Sequence, residues 1–160
     1  MSQSSRLARR ARLLRWLLNI YPPYLGAGIR VQHISPDMAH AKVRLKLTFW
    51  NRNYVGTQFG GSLYSMVDPF YMLLLIERLG PEYIVWDKAA SIDFIKPGKG
   101  PVFAEFHVDD GLLEEIRQQT ATGKKYLPRL QVDIRDAAGE LVAQVDKTLY
   151  VRLKPQARQA

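Results

Sequence analysis

The stretch "NYVGTQFGGSLYSMVDP", Asn53 to Pro69, decides how this chain is read. It leads into an apolar run that reads as a helix, yet that helix begins on two glycines, Gly60 and Gly61, and carries one carboxylate, Asp68, just before Pro69. A glycine inside a helix costs about 1 kcal/mol relative to alanine. An ionised carboxylate out of water is costly unless it is paired or protonated. Stability explains neither feature, so the segment is a candidate site.

Gln58 to Leu79 reads as one helix of roughly six turns. Leu63, Met66, Val67, Phe70 and Met72 to Ile76 make it apolar nearly all round, as expected for a helix surrounded by protein. Gly80-Pro81 stops it. Pro69 should bend it, because it lacks an N–H and frees the carbonyl of Ser65. Thr57 is the expected N-cap, which places Gly60 and Gly61 in the first turn. Their free N–H groups and the helix dipole suit a ligand carbonyl or oxyanion, although tight packing explains small residues equally well. Asp68 lies about two turns further on, near the same face, where apolar neighbours would raise its pKa and make it usable as a base or nucleophile. Alternatively, Asp68 bonds Ser65 or Tyr71, or faces water in a subunit interface.

The flanking segments read as strands. From Ala39 to Phe49 apolar and polar residues alternate, with His40, Lys42, Arg44 and Lys46 on the polar side. Gly28–Ile34 precedes it as a shorter strand. After the helix come Val85–Ile95, the turn "KPGKGP" at Lys96–Pro101, and an alternating stretch from Val102 to Val108. A short helix from Gly111 to about Thr122 follows. Tyr126–Arg135 and Glu140–Leu153 complete the set, with a turn at Asp136–Gly139. The expected fold class is α+β, a curved antiparallel sheet wrapped around one long central helix. The expected organisation is a single domain over 1–160: an amphipathic N-terminal helix to residue 23, a core over 28–153 and a tail over 154–160.

Composition narrows the function classes. The 160 residues are 47% hydrophobic and 24% charged, an ordinary globular balance with room for one core. There is no cysteine, which excludes disulfides, thiol nucleophiles and thiolate metal sites and suits a cytoplasmic location. No apolar run approaches the roughly 20 residues of a membrane span, and the first residues do not read as a signal peptide. The net charge of +8 owes much to Arg6, Arg9, Arg10, Arg12 and Arg15. These accompany Leu7, Leu14 and Leu18 on one helical stripe and Leu13, Leu17 and Ile20 beside it. The reading is a docked helix; the alternative is an arm over residues 6–20 making peripheral membrane contact or binding nucleic acid.

Other candidates are weaker. His33, His40 and His107 fall on separate strands without metal-ligand spacing, so no metal is expected. Ser62 and Ser65 lack a triad-like context. The "KPGKG" loop offers Lys96 and Lys99 to a phosphorylated ligand, while Arg129 and Arg152 sit on polar strand faces.

Asn53, Gly56, Thr57, Gly60, Gly61 and Asp68 together resemble the core motif of the hot-dog acyl-CoA thioesterases, phenylacetate-type branch. The chain is most similar to a subfamily of tetrameric acyl-CoA thioesterases in which the motif reads Phe-Gly-Gly and Asp or Glu precedes Pro. The likeness covers Ala39–Val151. It implies that Asp68 activates water or attacks the thioester, that the Gly60 N–H polarises the carbonyl, and that Asn53 orients water or substrate. It implies a homodimer or tetramer with Asp68 of one subunit facing Gly60 of its partner. Phe59, Gly61, Thr57, Lys96, Lys99 and Arg129 would then contact substrate, with the basic residues near the phosphates. No cofactor is implied beyond the coenzyme A of the substrate. Two positions depart from the motif: Phe59 replaces its histidine, and Lys96 replaces the Ser or Thr before a proline. The alternative function is a non-catalytic hot-dog module that binds acyl-CoA or fatty acid.

Overall fold

The computed structural model describes residues 3–155, so the last residues of the expected tail lie outside the described region. In chain order the elements are α1 (Gln3–Ile20), α2 (Pro22–Ala27), β1 (Ile29–Ile34), β2 (His40–Leu45), α3 (Gly60–Ser65), α4 (Phe70–Leu79), β3 (Tyr83–Phe94), β4 (Val102–His107), α5 (Asp110–Thr120), β5 (Arg129–Asp136) and β6 (Leu141–Leu153). The strands form one antiparallel curved sheet in the order β1-β2-β4-β5-β6-β3. The alternation predicted for β2 holds: Ala41, Val43 and Leu45 are buried, while His40, Lys42 and Arg44 point outward. Val102, Ala104 and Phe106 of β4 join the same core face. The Phe70 ring stacks on Phe106 with centroids 4.9 Å apart, seating α4 on the sheet.

The central helix spans the expected length but is interrupted. A turn at Met66–Pro69 separates α3 from α4, because Pro69 has no N–H to continue the ladder. Val67 N–H reaches back only three residues, to Tyr64 O at 3.0 Å, and regular pairing resumes with Leu73 N–H on Pro69 O at 3.0 Å.

The strand expected to reach Phe49 ends at Leu45, and Phe49 is exposed. Asn51 organises the chain that follows. Its Oδ1 accepts from Thr48 N–H at 2.7 Å and its Nδ2 donates to Ala27 O at 2.6 Å. Gly28 caps α2 at φ +79°, where a Cβ would lie 2.5 Å from Asn51 Nδ2, so only glycine fits. The expected end of the first helix at Pro22-Pro23 is also a beginning, since prolines suit the first turn of α2.

The N-terminal helix is docked. Ala11 is buried, with Leu7, Leu14 and Leu18 packed on the core. Asn19 makes a paired bond with the backbone of Val31, accepting from its N–H at 2.9 Å and donating to its O at 3.0 Å. That caps the free edge of β1. Leu13, Trp16, Leu17 and Ile20 remain exposed on the other side.

Candidate functional site

Two groups of residues carry chemistry, and they are built differently. The first is a cavity of about 410 Å³ at the start of α3, lined by Asn53, Thr57, Gly60, Phe94, Lys96 and Gly98 among others. The loop before α3 is locked by Asn53. Its Oδ1 accepts from Thr57 N–H at 2.9 Å, and its Nδ2 donates to Thr57 Oγ1 at 2.9 Å. Thr57 is therefore committed to Asn53 and is not the N-cap. That position belongs to Phe59, in extended backbone, with no side-chain cap bond. The N–H groups of Gly60 and Gly61 precede any i−4 partner within the helix, and Gly60 lines the cavity. A Cβ at Gly60 would sit 3.0 Å from Phe94 Cζ, and one at Gly61 would run into the Phe59 ring. Val55, Phe59, Phe94 and Ile95 are all more than half exposed, giving this region an apolar rim.

The second group centres on Lys147 of β6. It is 1% exposed, and its ammonium lies 3.1 Å from Asp68 Oδ1 and 3.1 Å from Asp87 Oδ2. The Tyr64 ring covers it at 5.5 Å, and the Tyr24 hydroxyl donates to the backbone carbonyl of Asp68. Burial works against the charge of Lys147, but the carboxylates of Asp87 and Asp68 outweigh it and hold the ammonium above its ordinary pKa. Asp87 is shifted upward, chiefly by burial, with the charge of Lys147 opposing and Asp68 adding to the rise. The Asp68 side chain remains 46% exposed. This is a carboxylate held through one oxygen by a buried ammonium and still open to solvent.

The structure thus gathers Asn53, Thr57, Gly60 and Lys96 around one cavity, with Phe59 and Gly61 beside it. Asp68 does not line that cavity. The turn at Met66–Pro69 follows α3, although Asp68 N–H still bonds Tyr64 O four residues back at 3.3 Å. Neither alternative partner takes it: Ser65 Oγ donates to Gly61 O at 2.8 Å and Tyr71 to Gln131 O at 2.8 Å. Lys96 pairs with Asp136 at 2.8 Å rather than with Asp68. Lys99 lies beside it in a neighbouring hollow, and Arg129 borders a different one together with Lys147.

Lys147 and Asp87 were missed by the sequence reading, though a signal existed. Lys147 falls in the alternating register of Leu141, Ala143, Val145, Leu149 and Val151, which are otherwise the inward residues of that strand. A lysine at an inward position needs an acid opposite it.

A curved antiparallel sheet around a central helix, with a glycine-lined cavity at the start of that helix, defines a hot-dog domain. The chain belongs to the DUF4442 family, described as a domain of unknown function, whose profile matches residues 9–151. No curated protein matches it. Among solved structures, it is similar to a protein of unknown function from Pseudomonas aeruginosa described as "Probable Thioesterase" (19% identity, 89% of this chain and 95% of that one, TM-score 0.79). It is also similar to a thioesterase from Haemophilus influenzae (14% identity, 89% and 90% coverage, TM-score 0.65). A third is the PaaI protein from the phenylacetic acid degradation operon of E. coli (15% identity, 95% and 96% coverage, TM-score 0.60). At these identities the likeness establishes the fold, and the phenylacetate-type branch is represented among the similar structures.

Proposed function

We propose that this chain is an acyl-CoA thioesterase. The observation that carries the reading is the Asp68 carboxylate, fixed by Lys147 yet 46% exposed at a turn in the otherwise apolar central helix. In this reading Asp68 takes a proton from water, and the hydroxide adds to the thioester carbonyl while the Gly60 N–H holds the developing oxyanion. The C–S bond then breaks, and the thiolate of coenzyme A takes the proton back. Direct attack by Asp68, with later hydrolysis of the anhydride, uses the same groups. Asn53 positions water or substrate from the rigid loop. Lys96, Lys99 and Arg129 serve the phosphates, and Phe59, Gly61 and Thr57 the thioester end. The names of the similar structures point to the same chemistry.

Asp68 and the Gly60 cavity are separate in one chain, so the reaction requires two. A homodimer, alone or within a tetramer, brings Asp68 of one subunit to Gly60 of its partner. β3 supports this: among the described residues it is a long edge strand paired only with β6, with Trp86 and Phe94 exposed along it, the kind of edge that invites a second copy. Among the described residues no helix is long and apolar enough to cross a membrane. The test is thiol release from a panel of aliphatic and aryl acyl-CoAs, with Asp68→Asn beside the wild type and oligomer size measured for both. Turnover lost in the variant with size unchanged supports the proposal. Binding of acyl-CoA by the wild type without turnover on any chain length replaces it with a non-catalytic module.

A further inference from the structure

The chain has three histidines, and the sheet gathers them on one outward face. His33, His40 and His107 stand on β1, β2 and β4, three neighbouring strands. His40 is directly opposite His107 in the register, with ring centroids 4.5 Å apart, and the His33 ring lies 5.6 Å from that of His40. Glu105 sits two residues before His107 and therefore on the same face. Its Oε2 is 3.4 Å from His40 Nε2 and 4.0 Å from His107 Nε2. His40 Nε2 is sealed from solvent and makes no hydrogen bond. The three strands are separate along the sequence but adjacent in the sheet, which brings the rings together.

We propose that His40, Glu105 and His107 form a site for Zn²⁺ or a neighbouring late first-row divalent ion. Two imidazoles and one carboxylate suit such metals, whereas Ca²⁺ and Mg²⁺ favour all-oxygen shells. Ligands at about 2.0–2.1 Å in a tetrahedron stand roughly 3.4 Å from one another. One donor atom from each of the three residues already lies within 4.8 Å of the other two, and one pair is at 3.4 Å. Closure requires the His107 ring to swing out of its stack on His40, and at 69% exposure it is free to turn. Three protein ligands leave a coordination position for water, beside a hollow of about 570 Å³ that Glu105 and His107 also line.

Lys42 gives the proposal a distinctive signature. Its ammonium occupies Glu105 Oε1 at 2.6 Å, leaving Oε2 for the metal while opposing the metal's charge. Removing that charge without touching a ligand should therefore tighten binding. The experiment titrates the full-length chain, free of any affinity tag, with Co²⁺ followed by visible absorption and with Zn²⁺ by calorimetry. One ion per chain is expected, with His107→Gln and Glu105→Gln each weakening it at least about tenfold and Lys42→Met strengthening it, all three variants keeping the wild-type circular dichroism. Absence of stoichiometric binding, equal affinity in His107→Gln, or weaker binding in Lys42→Met would overturn the site.

Discussion

The Gly60 cavity and the Lys147 cluster are two halves of one proposed reaction, and they are assembled on opposite principles. The cavity is made mostly of chain neighbours: Asn53 to Leu63 at the start of α3 and Phe94 to Gly98 after β3 supply its lining. The cluster is made of side chains from three distant places, Asp68, Asp87 and Lys147, in a setting where an unpaired charge is not tolerated. The difference teaches where each half is vulnerable. Changes at the cavity should alter chemistry with little effect on folding, whereas changes at the cluster should alter both.

The largest effect tests whether the cluster is catalytic at all. Asp68→Asn keeps an acceptor for Lys147 but removes the base, and turnover should fall about 10²–10⁴-fold with the fold intact. A variant with near-normal turnover removes Asp68 from the mechanism. Lys147→Met comes next: breaking a buried ion pair by deleting one partner costs about 3–5 kcal/mol, here read by urea unfolding. A loss below about 1 kcal/mol would show that the cluster is hydrated and that Asp68 is not held by it.

Gly60→Ala sharpens the contrast from the cavity side. The added Cβ enters the space a thioester oxygen needs and meets only the exposed Phe94 ring at 3.0 Å. Activity should drop while stability stays within about 1 kcal/mol of wild type, since alanine is the better helix former. An unchanged rate would move the carbonyl away from this helix start.

The smallest effect concerns pH. Asp87 has a raised pKa in the folded chain, so its contribution to stability is full below the unfolded carboxylate range and is lost as pH rises through the raised value. Asp87→Asn lacks that titration. The stability of the variant relative to wild type should therefore climb as pH increases from about 4 through this window. A difference that is flat with pH would mean Asp87 is not desolvated.

The same division explains how much of this molecule was readable in advance. The strands showed themselves because a half-buried sheet imposes a period of two, as in Ala41, Val43 and Leu45. The glycine motif showed itself because its residues are contiguous. The bend at Pro69 is legible in the sequence, but the partner of Asp68 is not, because Lys147 stands 79 residues away along the chain. Thr57 reads as a cap from type and position, yet Asn53 claims it through a loop closure that no helix rule contains.

By itself, then, the sequence determined the strand pattern, the amphipathic pattern of the first helix, the glycine pair at the start of α3 and the presence of one carboxylate in an apolar run. Each follows from interactions between residues close along the chain. The tertiary structure alone decided that Asp68 meets Lys147 and Asp87, that Lys96 belongs to Asp136, and that three scattered histidines share one face. Those pairings depend on sheet order and register, which set the distance between residues remote in sequence and so decide which charges and ligands can reach one another.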